Sequence, residues 1–271
     1  MIQNAAVSKI DESNLNFEEA ISFKVKNSPK MFLTISNLYN NKIRAIVREL
    51  SSNARDSHKT AGKEDVLFDI HVPSEQEPYF EVKDYGTGLS HDEIINIYIV
   101  NFESTKENEN DSIGFFGIGS KSPLFYCDAF TVTAIKDGEK NTYTVFQDEE
   151  GPKILRLSLE ETDEVNGLTV TVPTTDFYSF HREIESVFRG FAIKPNLINA
   201  NGLKIDEHEV VEDHGFYFTT KSSEFLVLYG DIEYPIDMDL VYNDLDSGLI
   251  GNGAVFRMPL GTLSLNPSRE S

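Results

Sequence analysis

From about Leu38 to Thr60 the chain carries two stripes on one helical repeat. Ile43, Ile46, Val47, Leu50 and Ala54 recur at helical spacing on one side. Beside them, at about 100° per residue, Glu49, Asn53 and Asp56 share a stripe roughly 60° wide. One helix therefore buries a face and presents two carboxylates and a carboxamide at its edge. That demands a layered fold with something packed along the apolar side. Gly62 stands just past the end, as a helix stop.

Strand signals follow at Val66 to Val72 and Tyr79 to Val82, joined by a Pro/Glu-rich turn. Asp84 to Gly88 is a tight glycine turn, and Asp92 to Val100 reads as a short helix. Asn101 to Ser112 is polar and poor in apolar residues, which predicts a loop. A glycine-rich turn comes next, with Ser122-Pro123 opening a predicted helix. Alternating strands are predicted over Phe130 to Lys136, Asn141 to Gln147, Ile154 to Leu159 and Leu168 to Val172, and a helix over about Phe177 to Phe191. Before all of these, Ile21 to Val25 reads as a strand or arm leading into Met31-Phe32-Leu33. The expected class is α/β, a two-layer sandwich on a mixed, largely antiparallel sheet. Residues 1–200 form the first predicted domain. Residues 201–271, β-rich and acidic, form the start of a second.

The 271 residues carry a formal net charge of −21. Such a field repels nucleic acid and anionic lipid over most of the surface, so direct nucleic-acid binding is not expected. Cys127 is the only cysteine, which excludes an internal disulfide and a cysteine metal cluster and suits a reducing, cytosolic setting. Met1 to Ile10 lacks the basic and apolar regions of a signal peptide. The longest apolar run, Ile94 to Val100, is broken by Asn96 and too short to span a bilayer.

Three further segments join the helical stripe. Asp84 sits at a strand end before Gly86 and Gly88. A buried carboxylate there can accept from an exocyclic amine while glycines admit the ring of a base, and the same pattern serves a plain Asp-x-Gly turn. Gly114-Phe115-Phe116-Gly117-Ile118-Gly119 runs into Ser120-Lys121, a nest of N–H groups for phosphate or a glycine corner between elements. A Walker motif fails, because Ser120 separates Gly119 from Lys121. Ser104, Thr105 and Lys106 lie in the polar loop just before and suit a lid over phosphates. On the helix, Asn53 offers a neutral oxygen suited to Mg²⁺, and Glu49 can take a proton from water. The alternative is an ordinary solvated helix face. The six histidines show no metal-ligand spacing, and His58, although it follows the helical stripe, is expected at the surface.

Glu49-x-x-x-Asn53-x-x-Asp56, Asp84-x-Gly86-x-Gly88 with Leu89, and Gly114-x-x-Gly117-x-Gly119 resemble, in order and spacing, the three motifs of the GHKL superfamily. That group includes DNA gyrase B, the ninety-kilodalton heat-shock chaperone, histidine kinases and MutL. The resemblance implies the Bergerat ATP-binding fold, with ATP and Mg²⁺ as cofactors and hydrolysis coupled to lid closure. Glu49 would activate water, Asn53 would hold Mg²⁺, Asp84 would bind adenine, and Gly114, Phe116, Gly117, Ile118 and Gly119 would hold phosphate. Leu263 to Glu270 is similar to the chaperone segment whose arginine reaches the γ-phosphate from a transducer-like domain, which makes Arg269 the candidate. Gly167 is followed by Leu168, so Thr169 falls one place later than the Gly-Thr that relatives carry behind the adenine.

Ser28-Pro29-Lys30, the run from Leu38 to His58, Gly117 to Pro123, Tyr234-Pro235-Ile236 and Pro267-Ser268-Arg269-Glu270 also resemble bacteriophage rIIA-like proteins. That likeness implies the N-terminal part of a longer protein in the host cytoplasm, acting in host–phage interference or lysis control, with an rIIB-like partner and peripheral membrane association. Two other function classes stay open: a nucleotide-gated dimerisation module without turnover, and a DNA-transaction ATPase of MutL type.

Overall fold

The computed structural model describes residues 36–37, 39–99, 119–213, 216–219, 224–236, 253–259 and 261–263. The first helix, α1, spans Lys42–Thr60. It starts later than the apolar periodicity predicts, because the Asn41 side chain accepts from Arg44 N at 2.9 Å and caps it. Gly62, at φ +66°, follows its end.

Among the described residues, seven strands form one sheet in the order β5-β4-β3-β6-β2-β1-β7. They are β1 (Asp69–His71), β2 (Tyr79–Lys83), β3 (Ala129–Lys136), β4 (Glu139–Asp148), β5 (Gly151–Glu161), β6 (Gly167–Pro173) and β7 (Asn196–Ile198). Pairings are antiparallel except β1 with β7, so the sheet is mixed and largely antiparallel as expected. The strand expected from Val66 shrinks to three residues. Val66 N is drawn instead to Lys63 O at 3.0 Å, closing a turn.

Alternation along the strands turns Phe80, Val82, Val132, Ala134, Val170 and Val172 inward. Helix α1 and a later helix, α3 (Phe177–Phe188, capped by Asp176), cover that face. Phe80 meets Phe180 at 5.0 Å between ring centroids, and Phe68 meets Phe188 at 6.0 Å. The other face carries half-buried Glu81, Lys83, Thr131, Thr133, Thr169 and Thr171. Two layers with one core between them result.

A short helix α2 spans His91–Ile99. The helix expected to open at Ser122-Pro123 is instead a 3₁₀ helix, Gly119–Phe125, with Pro123 inside it. Proline has no N–H to continue an i→i−4 ladder, and Tyr126 N and Cys127 N both close onto Pro123 O.

Strands β8 (Val210–Asp213), β9 (Phe216–Thr219), β10 (Phe225–Tyr229), β11 (Ile232–Pro235) and β12 (Gly253–Met258) form a second sheet, ordered β11-β10-β12-β9-β8. Its β10–β11 end is tied to α1, with Arg55 Nε 3.6 Å from Asp231 and Arg44 donating to Glu233 O at 3.4 Å. No helix among the described residues is long and apolar enough to cross a membrane.

Candidate functional site

Helix α1 meets both glycine motifs. Two turns into it, Glu49 is buried, and its Oε1 accepts from Arg48 Nε at 3.2 Å and Nη2 at 2.9 Å. Gly119, opening the 3₁₀ helix, lies against it: a β-carbon there would stand 2.7 Å from Glu49 Oε2. Near the other end, Ser57 Oγ donates to Asp84 Oδ1 at 3.1 Å. Gly86 presses so close that a β-carbon would fall 2.0 Å from Ser57 Oγ and 2.7 Å from the Ser57 carbonyl. From Glu49 to Ser57 is eight residues of helix, or about 12 Å along its axis. Half-buried Asn53 lies midway, and its carboxamide makes no hydrogen bond among the described residues. Asp56 is buried on the same edge.

The Asp84 turn is built for close approach. β2 ends at Lys83, and Asp84 N donates to Leu168 O at 2.9 Å, which fastens the turn to β6. Gly88 takes φ +62°, and a β-carbon there would meet Ile135 O at 2.0 Å. Gly167 backs Asp84, where a β-carbon would come 2.1 Å from Asp84 O. Leu89 packs against the core. Asp84 Oδ1 also accepts from Gly86 N at 2.9 Å, so both of these side-chain bonds fall on one oxygen. Burial pushes this carboxyl up to about 6, against the pull of bonds from the Gly86 N–H, the Ser57 hydroxyl and the Leu168 N–H.

Beyond Gly119, Ser120 is half-buried and Lys121 is buried. Lys121 Nζ donates to Ile97 O on α2 at 2.7 Å, and burial lowers its pKa to about 8. Ser104, Thr105, Lys106, Gly114, Phe116, Gly117, Ile118 and Arg269 lie outside the described residues.

One expectation is overturned. His58 is fully buried, not at the surface. It sits four residues after Ala54 and eight after Leu50, on the apolar stripe itself. Its ring stands edge-on to Phe68 at 6.4 Å. Sequence reasoning also passed over Arg48, the buried partner of Glu49, and Lys63, whose Nζ donates to Tyr85 O at 2.7 Å. Periodicity held the clue to His58. Nothing local marked Arg48 or Lys63.

Residues 41–171 match the family model for the histidine kinase-, DNA gyrase B-, and HSP90-like ATPase. Among curated proteins, the chain is similar to the chaperone protein HtpG of three organisms. It is 29% identical to that of Rickettsia typhi over 152 residues, covering 48% of this chain and 24% of the relative. For Orientia tsutsugamushi the figures are 24% over 250 residues, 81% of this chain and 39% of the relative. For Paramagnetospirillum magneticum they are 30% over 156 residues, 49% of this chain and 25% of the relative. The chain thus spans between 24% and 39% of the length of these relatives. Residues 41–171 are an ATP-binding domain of the GHKL, HSP90-like ATPase type, and they supply β1 to β5 and most of β6 of the seven-stranded mixed sheet.

Proposed function

We propose that this chain binds Mg²⁺–ATP along the edge of α1 and hydrolyses it slowly. The observation that carries the reading is the spacing on α1, which touches the Asp84 turn at Ser57 and the glycine corner at Glu49. The separation of about 12 Å suits a base at one end and a terminal phosphate at the other. The residues present fit the group. The Asp84 carboxylate has lone pairs left to accept an exocyclic amine, Asn53 offers an unengaged neutral oxygen to a hard cation, and the glycine cradles have no room for side chains. Bound Mg²⁺ supplies charge neutralisation on the phosphates. Glu49, held by Arg48, orients water and takes its proton on a carboxylate oxygen.

Asp56 lines the same edge, and Gly86, Gly88 and Leu89 shape the base end. Gly119 and Ser120 offer backbone N–H groups to phosphate. Lys121 donates one of its three ammonium hydrogens to Ile97 O and has others to offer a phosphate. Ser104, Thr105 and Lys106 act as a lid, Gly114, Phe116, Gly117 and Ile118 complete the phosphate corner, and Arg269 supplies γ-phosphate charge from a transducer-like second domain at 201–271, after an ATP domain at 1–200. These last assignments rest on motif likeness. So does the wider reading as an rIIA-like phage protein of the host cytoplasm with an rIIB-like partner and nucleotide-dependent homodimerisation.

A second reading is a nucleotide-gated module without turnover. The Arg48–Glu49 pair favours it, because the guanidinium already occupies Glu49 Oε1 at 2.9 Å. Calorimetry with ATP beside phosphate release separates the two. Binding with release lost in Glu49→Ala supports hydrolysis, binding without release supports the module, and no binding removes both.

A further inference from the structure

We propose that His58 is a positioning residue of this site: by accepting the Tyr85 N–H it fixes the peptide that aims the Asp84 carboxylate at the base. The inference rests on the nucleotide reading above. The turn is gripped at three atoms, from the last turn of α1 and from Lys63 just beyond it. Ser57 Oγ holds Asp84 Oδ1, His58 Nε2 takes the Tyr85 N–H at 2.8 Å, and Lys63 Nζ holds Tyr85 O at 2.7 Å. The Tyr85 N–H belongs to the peptide joining it to Asp84, so this bond fixes the backbone from which the Asp84 side chain projects.

The imidazole is itself fixed. Its Nδ1 lies 2.9 Å from Val66 O, a group that only accepts, so Nδ1 carries the proton and Nε2 is the acceptor. One neutral tautomer satisfies both neighbours. Burial lowers its pKa, with the charges of Arg55 and Lys63 acting in the same sense and the Val66 bond against them. A core histidine that satisfied buried amides anywhere would serve stability alone. This one spends its acceptor nitrogen on the residue that follows the base-binding aspartate.

The test is a matched pair of amides, His58→Asn and His58→Gln. The shorter amide keeps a donor near the Nδ1 position and loses the acceptor, whereas the longer one places an oxygen near Nε2. His58→Asn should weaken ATP and ADP alike by about tenfold, with turnover at saturating ATP unchanged, and His58→Gln should stay within about threefold of the unsubstituted protein. Equal weakening by both variants, or unchanged binding in a folded His58→Asn, overturns the proposal while leaving the site standing. If the unsubstituted protein binds no nucleotide, the nucleotide reading fails and this inference fails with it. The unsubstituted protein supplies a measurement free of variants: ¹⁵N shifts of the His58 ring should show an unprotonated Nε2. A proton found on Nε2 overturns the proposal.

Discussion

Glu49 and Gly119 meet with no room for a β-carbon between them: one placed at 119 would stand 2.7 Å from the Glu49 Oε2 and 3.3 Å from its Cβ. The proposed base and the phosphate corner are therefore one packed unit. Gly119→Ala should push the carboxylate aside and cut turnover by about 10²-fold while leaving the affinity for ADP near its original value. Steady-state phosphate release and ADP calorimetry check this. Unchanged turnover would detach Glu49 from the reaction.

Gly86 is under a harder constraint, because what a β-carbon would strike is Ser57, backbone included. Gly86→Ala should destabilise the protein by about 1–3 kcal/mol through overpacking and weaken nucleotide binding. Denaturant unfolding and calorimetry together read both effects.

Arg48 and Glu49 are both buried and paired at 2.9 Å. Taking Arg48 away removes two charge-assisted bonds from a buried carboxylate. Arg48→Ala should cost about 3–5 kcal/mol in unfolding free energy, far more than truncation of an exposed arginine. A loss below about 1 kcal/mol would mean that the pair is solvated in solution.

Asp84 makes a pH prediction with a fixed sign. Its folded carboxyl titrates at about 6, above its ordinary 3.8. As pH falls through about 6 the acceptor becomes protonated, so adenosine, which carries no phosphate to titrate there, should bind about tenfold more weakly per pH unit. For stability the direction is opposite. The folded state takes up a proton that the unfolded state does not until about 3.8, so this group's contribution to stability is lowest above pH 6 and grows as pH drops. Asp84→Asn should lose both slopes and nearly all base binding. Adenosine affinity that stays flat from pH 8 to 5 would contradict this.

Much of the frame was legible because it is periodic. The apolar repeat from Ile43 to Ala54 gave α1, and two-residue alternation gave β2, β3 and β6. The turns at Asp84 and Gly119 were legible as glycine chemistry. What escaped depends on partners distant along the chain. His58 looks like a polar residue near a helix end until Tyr85, 27 residues on, presents its amide. Arg48 looks solvated because nothing local says that its guanidinium turns inward to Glu49. The 3₁₀ geometry around Pro123 is set by backbone bonds that no side-chain pattern records. The bond from the Lys121 ammonium to the Ile97 carbonyl of α2 likewise spans 24 residues and leaves no local mark.

The most direct measurement is a crystal structure with Mg²⁺ and a non-hydrolysable ATP analogue. The account predicts the adenine amine on Asp84 Oδ2, the metal on the Asn53 side-chain oxygen, and the terminal phosphate beside Gly119 and Glu49. A nucleotide lying anywhere other than along this edge of α1 would contradict it.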